Sequence, residues 1–191
     1  MSDPAEVNGP FIEYILGKIF GGSVNYCEVT PQNMKNIGSP NYGGLYMFFV
    51  KERKEEQYCP IYVGYTSRNF RQRFGEHATN GVIYKFQNGQ LRATVDSHPV
   101  GGAQAVCDLY VSEFECDAPA AKLLESVFLE AFDFALNVAE NGQERDTVET
   151  AVHKKPEQSY DFFVPAFENV MQDVTKTEES IRSALNLPKP K

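Results

Sequence analysis

The chain has 191 residues, of which 42% are hydrophobic and 23% are charged. This composition is typical of one globular domain, with or without an appendage, and it excludes a disordered or membrane-embedded chain. The formal net charge of −8 also argues against a protein that coats nucleic acid through an overall positive field.

The charge is distributed unevenly along the chain. Residues 1–39 carry a net charge of −2, residues 40–92 carry +4, and residues 93–191 carry −10. The basic middle segment is therefore where the sequence predicts the binding of an anion.

The cysteines and the start of the chain bear on the cellular compartment. The four cysteines form no CxxC pair and have no histidine at zinc-finger spacing, so free thiols in a reducing compartment are expected. The first ten residues, MSDPAEVNGP, lack the pattern of a signal peptide. We therefore expect a cytoplasmic protein, or a nuclear one if the source is a eukaryote.

The N-terminal segment, residues 1–42, is predicted to contain one helix and one loop. Apolar side chains recur with a helical period from residue 11 to residue 20, and the period ends at Gly21 and Gly22. The following stretch is rich in Asn, Pro and Gly, which is typical of a loop.

The next segment is predicted to form a hairpin and a helix. The apolar runs Leu45–Lys51 and Pro60–Thr66 flank the charged letters ERKEEQ, and this arrangement indicates two antiparallel strands joined by an exposed turn. A helix is then expected from Arg68 to Thr79, with Thr66 or Ser67 as its cap.

The second half of the chain is predicted to continue with strands and then helices. Short strands are expected at Val82–Phe86 and Leu91–Val95, and a stronger strand at 105–114. A long helix should begin after Asp117 and end near Asn137. Residues 139–191 form a predicted C-terminal helical extension, with helices at Asp161–Val174 and Thr175–Leu185. This order favours an α/β protein of the α+β kind, with a small, mainly antiparallel sheet flanked by helices.

The helix after the hairpin carries an unusual stripe. Phe70, Arg73, Phe74 and His77 are spaced i, i+3, i+4 and i+7, so they share one face. Either the two phenylalanines pack while Arg73 extends past them to the surface, or Arg73 and His77 are aimed at a phosphate.

Glu125 is predicted to lie on the apolar face of the long helix. On a helical wheel its neighbours are apolar, whereas Lys122 and Ser126 occupy the opposite side. A carboxylate against a core must be neutralised, hydrogen-bonded or bound to a cation. It is therefore either a satisfied structural group or a candidate for metal binding or acid–base chemistry.

Taken together, these residues resemble the GIY-YIG nuclease family. Its first signature is written here Gly44-Leu45-Tyr46 and its second Tyr62-Val63-Gly64, although two tyrosines in facing strands would by themselves indicate core packing. Arg73 and His77 match the arginine and histidine of the family's helix. ESVFLEAFDFALN resembles the closing motif, which contains Glu125 and Asn137.

The resemblance covers residues 43–138 and implies a nuclease domain with a three-stranded antiparallel sheet. It implies that Tyr46, Tyr62, Arg73, His77, Glu125 and Asn137 form the catalytic site, in which Glu125 holds one Mg²⁺ or Mn²⁺. Arg73 would bind the scissile phosphate, and Tyr46, helped by Tyr62 or His77, would position or deprotonate the attacking water. Many members have Lys or Gln where this chain has Tyr65.

DNA is the expected partner, contacted also by Arg68, Arg71 and Tyr65. The alternative is a catalytically weak or inactive module of the same fold that binds nucleic acid or a protein. A protein partner would use the acidic C-terminal half. Cutting both strands with one active site per chain would favour a homodimer.

Overall fold

The fold is built on one antiparallel sheet with helices on both faces. The computed structural model describes residues 12–17, 19–91, 94–95, 98–137 and 152–154. In chain order the elements are α1 (12–17 and 19–20), β1 (Cys27–Glu28), β2 (Gly44–Glu52), β3 (Cys59–Thr66), α2 (Phe70–Asn80), α3 (Val82–Gln87), β4 (Thr94–Val95), β5 (His98–Pro99), β6 (Cys107–Glu115), α4 (Ala118–Ala131), β7 (Phe132–Phe134) and β8 (Val152–Lys154).

The main sheet has four strands in the order β1-β6-β2-β3, and each neighbouring pair is antiparallel. The α+β class and the β2–β3 hairpin with its exposed connection are confirmed. The prediction of three strands was wrong by one, because β1 is only two residues long and lies within a polar loop. So short a strand leaves no period in the sequence.

Strand β2 is buried on both faces and separates two parts of the core. Leu45, Met47 and Phe49 pack with apolar residues of α1 and α4, whereas Tyr46 and Phe48 pack with those of α2 and α3. Because side chains alternate along a strand, a strand covered on both faces must be apolar at nearly every position. This explains the run LYMFFV.

Two predictions in the middle of the chain were wrong. Val82–Phe86 belongs to helix α3 rather than to a strand, because its buried residues Val82 and Ile83 and the partly buried Phe86 have the spacing of a helical face. The cap of α2 is Asn69, whose side-chain oxygen accepts a hydrogen bond of 2.9 Å from the Gln72 N–H. Thr66 instead accepts from the Arg68 N–H in the preceding turn.

The long helix ends earlier than predicted. Helix α4 begins after its cap, Asp117, as expected, but it stops at Ala131, and Phe132 has extended backbone angles. Residues Phe132–Phe134 form β7 and pair with β8. Strand β8 lies within the C-terminal extension that was predicted to be helical. The aromatic rings of FDF suit a strand that is covered by the core.

The remaining predictions have mixed outcomes. Helix α1 is confirmed, with Ile12, Ile15 and Leu16 fully buried. Of the strand predicted at Leu91–Val95, the described residues are Leu91, which lies outside any strand, and Thr94–Val95, which form β4. The predicted C-terminal helices at 161–174 and 175–185 lie outside the described residues, and the domain boundaries stay predictions.

The four cysteines are free thiols, as predicted. In the part of the chain that the structure describes, no helix has the length and apolarity needed to cross a bilayer.

Candidate active site

Two glycines shape the backbone around Tyr46. Gly64 lies directly opposite Tyr46 in the β2–β3 pair, and a Cβ at Gly64 would come within 2.5 Å of the Tyr46 hydroxyl. Gly44 has a φ of +144°, and a Cβ there would lie 2.2 Å from the Phe114 carbonyl oxygen. Both signature tripeptides therefore contain a glycine that the local geometry requires.

Helix α2 brings Arg73 and His77 to the hydroxyl of Tyr46. Arg73 donates from Nε to the Tyr46 oxygen at 2.8 Å, and the Nε2 atom of His77 lies 2.9 Å from the same oxygen. Tyr46 is fully buried, and its ring contacts Phe74 and Phe48. The two phenylalanines of the α2 stripe pack in the core, whereas its polar residues converge on one phenol, and their binding of a phosphate stays a prediction.

The proton of His77 can be placed from its two partners. Its Nδ1 atom accepts a hydrogen bond of 3.2 Å from the Val82 N–H, so it carries no proton. Burial, together with the charge of Arg73, lowers the pKa of His77 to about 4. At neutral pH the ring is therefore uncharged, and it donates from Nε2 to Tyr46.

Since the Tyr46 oxygen accepts from both Arg73 and His77, its own proton must point to a third group. The neighbouring phenol on the same face of the sheet is Tyr62, whose ring stacks on that of Tyr46 with the ring centroids 6.1 Å apart. Burial raises the pKa of Tyr46 above its usual value, although the charge of Arg73 opposes this shift. Tyr46 is therefore a protonated phenol at neutral pH. We call Tyr46, Tyr62, Arg73 and His77 the Tyr46 cluster.

Glu125 approaches this cluster from the opposite face of the sheet. Burial raises the pKa of Tyr62, and the negative charge of the Glu125 carboxylate raises it further. Helix α4 packs on the face opposite to α2, so the two helices bring their polar groups together across the edge strand β3. Glu125 is partly exposed.

Asn137 holds the chain that follows α4 against β3. Its side-chain oxygen accepts from the Val63 N–H at 3.0 Å, and its amide nitrogen donates to the Val63 carbonyl at 2.9 Å. The Leu136 N–H also donates a hydrogen bond to β3, to the carbonyl of Ile61. Both ends of the buried Asn137 amide are occupied by backbone, so the residue positions the segment.

The three predicted nucleic-acid contacts lie in different places. Arg68 is exposed beside α2, and Arg71 is exposed on α2, where its Nε donates to the Gly38 carbonyl. Tyr65 lies opposite Leu45, so it is on the face of the sheet that α4 covers. Tyr65 is therefore separated by the sheet from the face on which Tyr46 lies.

The sequence reasoning missed Glu76. Its carboxylate accepts a hydrogen bond of 2.8 Å from Nη1 of Arg73, and its other oxygen accepts from Nη2 of Arg68. The signal available in the sequence was the i, i+3 spacing of Arg73 and Glu76 on a predicted helix.

No protein-family model matches the chain, and neither the curated proteins nor the solved structures give a significant match. The functional argument therefore depends on the site itself.

Proposed function

We propose that the chain is a GIY-YIG-type endonuclease that hydrolyses phosphodiester bonds in DNA with one divalent metal ion. The observation that carries the proposal is the guanidinium of Arg73. Its Nε is anchored on the buried hydroxyl of Tyr46, while its side chain remains 31% exposed. An arginine held in this way has a fixed, charged donor edge at the surface whose Nη1 atom binds Glu76, and the same edge suits a phosphate.

In this proposal Arg73 binds the scissile phosphate and offsets the negative charge that develops on its oxygens. Burial acts to lower the pKa of the guanidinium, but its interactions with Tyr46 and Glu76 outweigh burial and raise the pKa, so Arg73 is charged throughout. Its anchored Nε also keeps the donor edge from moving, which reduces the reorganisation needed during the reaction.

The proposed roles of Tyr46 and Tyr62 follow from their protons. A buried phenol with a raised pKa keeps its proton at neutral pH, so Tyr46 orients its neighbour rather than acting as a base. In this proposal the partly exposed Tyr62, stacked on Tyr46, accepts a hydrogen bond from the Tyr46 phenol and donates one from its own hydroxyl to the attacking water. Both nitrogens of His77 are engaged, so His77 is a positioning residue for Tyr46.

Glu125 fits the proposed metal ion. Mg²⁺ is commonly held by one or two carboxylates, several waters and substrate phosphates, and it does not need a protein cage. Among the described residues, no group of three or more His, Cys, Asp or Glu side chains is placed to hold a metal. A single partly exposed carboxylate, whose charge acts on Tyr62 of the Tyr46 cluster, meets the smaller requirement. A divalent cation there would stabilise negative charge on phosphate oxygens.

The proposal is tested by nicking of supercoiled plasmid in Mg²⁺. Arg73→Ala should lower the rate by about 10²-fold or more, since losing one such electrostatic donor typically has that effect. Lys54→Ala, in the exposed hairpin connection, is the control for removal of a positive charge and should nick like the wild type.

Two results would contradict the proposal. Equal rates for the wild type and Arg73→Ala would remove Arg73 from the reaction. A wild-type protein that binds DNA in the same buffer without nicking it would favour the alternative, a module of this fold without turnover.

A further inference from the structure

Glu76 occupies the donor edges of two arginines. Arg73 comes from within α2 and Arg68 from the turn before it, yet one guanidinium binds each oxygen of the same carboxylate. Two guanidiniums that converge on one group with two oxygens form a typical arrangement for binding a phosphate. The carboxylate of Glu76 therefore stands where the two non-bridging oxygens of a phosphodiester would fit.

The bonds to Glu76 are also in a position to exchange. The side chains of Glu76 and Arg68 are 40% and 57% exposed, and exposed ion pairs contribute little to stability. The inner bond from Arg73 Nε to Tyr46 does not involve Glu76, so it persists when Glu76 leaves. Arg73 would thus stay in the site while its outer edge changes partner.

We propose that Glu76 is an internal competitor for nucleic-acid phosphate, which displaces it from Arg73 and Arg68 when the backbone binds. This inference rests on the proposed function, pairs Arg68, an expected DNA contact, with Arg73 and adds Glu76 to the substrate site. Its consequence is a weaker affinity for isolated anions, because each must replace a carboxylate that is already bound. A polymer with many phosphates offsets this disadvantage through its other contacts.

The test measures binding of a short DNA duplex by fluorescence anisotropy in EDTA, where no metal-dependent cleavage interferes. Glu76→Gln keeps the shape of the side chain and removes its charge, so binding should tighten about three- to tenfold, as expected for losing one or two exposed ion pairs. The control is Glu55→Gln, which removes a negative charge from the exposed hairpin connection and should bind like the wild type. In an Arg68→Ala background the gain from Glu76→Gln should be smaller, since one of the two pairs is already absent.

The outcomes separate this inference from the proposed function. If the wild type nicks DNA and Glu76→Gln binds DNA equally well or more weakly, the inference alone is overturned. Glu76 would then have a structural role in α2. Tighter binding without nicking by any variant would support the inference and overturn the hydrolytic function. An absence of DNA binding by Glu76→Gln would overturn both.

Discussion

The hydroxyl of Tyr46 is where the polar residues of this otherwise apolar region meet. Its oxygen accepts hydrogen bonds from Arg73 and His77, and the ring of Tyr62 stacks on the Tyr46 ring. Donor and acceptor counts determine this pattern, because Arg73 can only donate and the Nδ1 atom of His77 is already occupied by Val82. Tyr46, Arg73 and His77 therefore each have a defined protonation state.

The first prediction concerns the stability of the fold at acid pH. The pKa of His77 is lowered from 6.5 to about 4, so the unfolded chain binds more protons than the folded chain between these values. The free energy of unfolding should therefore fall as the pH decreases from about 6.5 to about 4, with a contribution from His77 of about 3 kcal/mol. Denaturant unfolding of His77→Gln should show a shallower pH dependence than the wild type in that window.

Gln57→Ala, in the exposed hairpin connection, supplies the control. It should follow the wild-type pH profile, since the substitution adds and removes no titratable group. Identical profiles for His77→Gln and the wild type would contradict the assignment of an uncharged, donating His77.

The second prediction concerns Gly64. The Cβ of Gly64→Ala would lie 2.5 Å from the Tyr46 hydroxyl, and the fully buried ring has no room to move aside. We expect a loss of about 1–3 kcal/mol in the free energy of unfolding, typical of overpacking, together with loss of nicking. Gly75→Ala is the matched control, because a Cβ there meets nothing within 4 Å. It should be neutral or stabilising in helix α2, and a Gly64→Ala protein as stable as Gly75→Ala would contradict this account of the site.

At the scale of elements, the site depends on how helices on opposite faces reach the same edge strand. Helix α2 supplies Arg73 and His77 from one face, and α4 supplies Glu125 from the other. Strand β3 lies between them at the edge of the sheet, where its outer backbone groups would otherwise lack partners. The segment after α4 covers this edge through Leu136 and Asn137.

The third prediction concerns Asn137. Replacement by alanine leaves the Val63 N–H and carbonyl buried without partners, which should lower the free energy of unfolding by about 3 kcal/mol. Asn88→Ala is the control, because Asn88 is exposed and bonds only to the Tyr84 carbonyl in its own helix. It should change stability by less than about 0.5 kcal/mol. Equal unfolding midpoints for the two variants would show that Asn137 does not hold α4 to the sheet.

At the scale of the whole molecule, long periodic segments were predictable from the sequence. The strands β2, β3 and β6, the described residues of α1 and the start of α4 have strong patterns of apolar residues or a clear cap, and the structure confirms them. The errors lie where tertiary contacts decide. Val82–Phe86 is rich in β-forming residues but packs as a helix, and β1 exists only because β6 provides a partner.

Within the site, residue types could be predicted but their bonding could not. The spacing on α2 placed Arg73 and His77 on one face, and the structure brings both to Tyr46. The role of Asn137 against Val63 depends on a contact between residues 74 positions apart, which no local pattern contains. The ion pair of Glu76 with Arg68 could not be predicted from helical spacing either, because Arg68 lies in the turn before α2.

The distribution of charge also changes meaning in the folded molecule. The basic segment 40–92 includes Arg68, Arg71 and Arg73, but Glu76 neutralises part of this group in the structure. A basic segment in the sequence is thus only partly available to an anion, and its availability depends on displacement of one carboxylate.

The central claim, metal-dependent hydrolysis at Glu125 and Arg73, is tested most directly by titrating Mg²⁺ into a plasmid-nicking assay with the wild type and Glu125→Gln. Nicking by the wild type should rise from zero in EDTA to a plateau, and Glu125→Gln should lower the plateau rate by about 10²-fold or more. Nicking by the wild type in EDTA, or equal rates for the two proteins across the titration, would contradict the account.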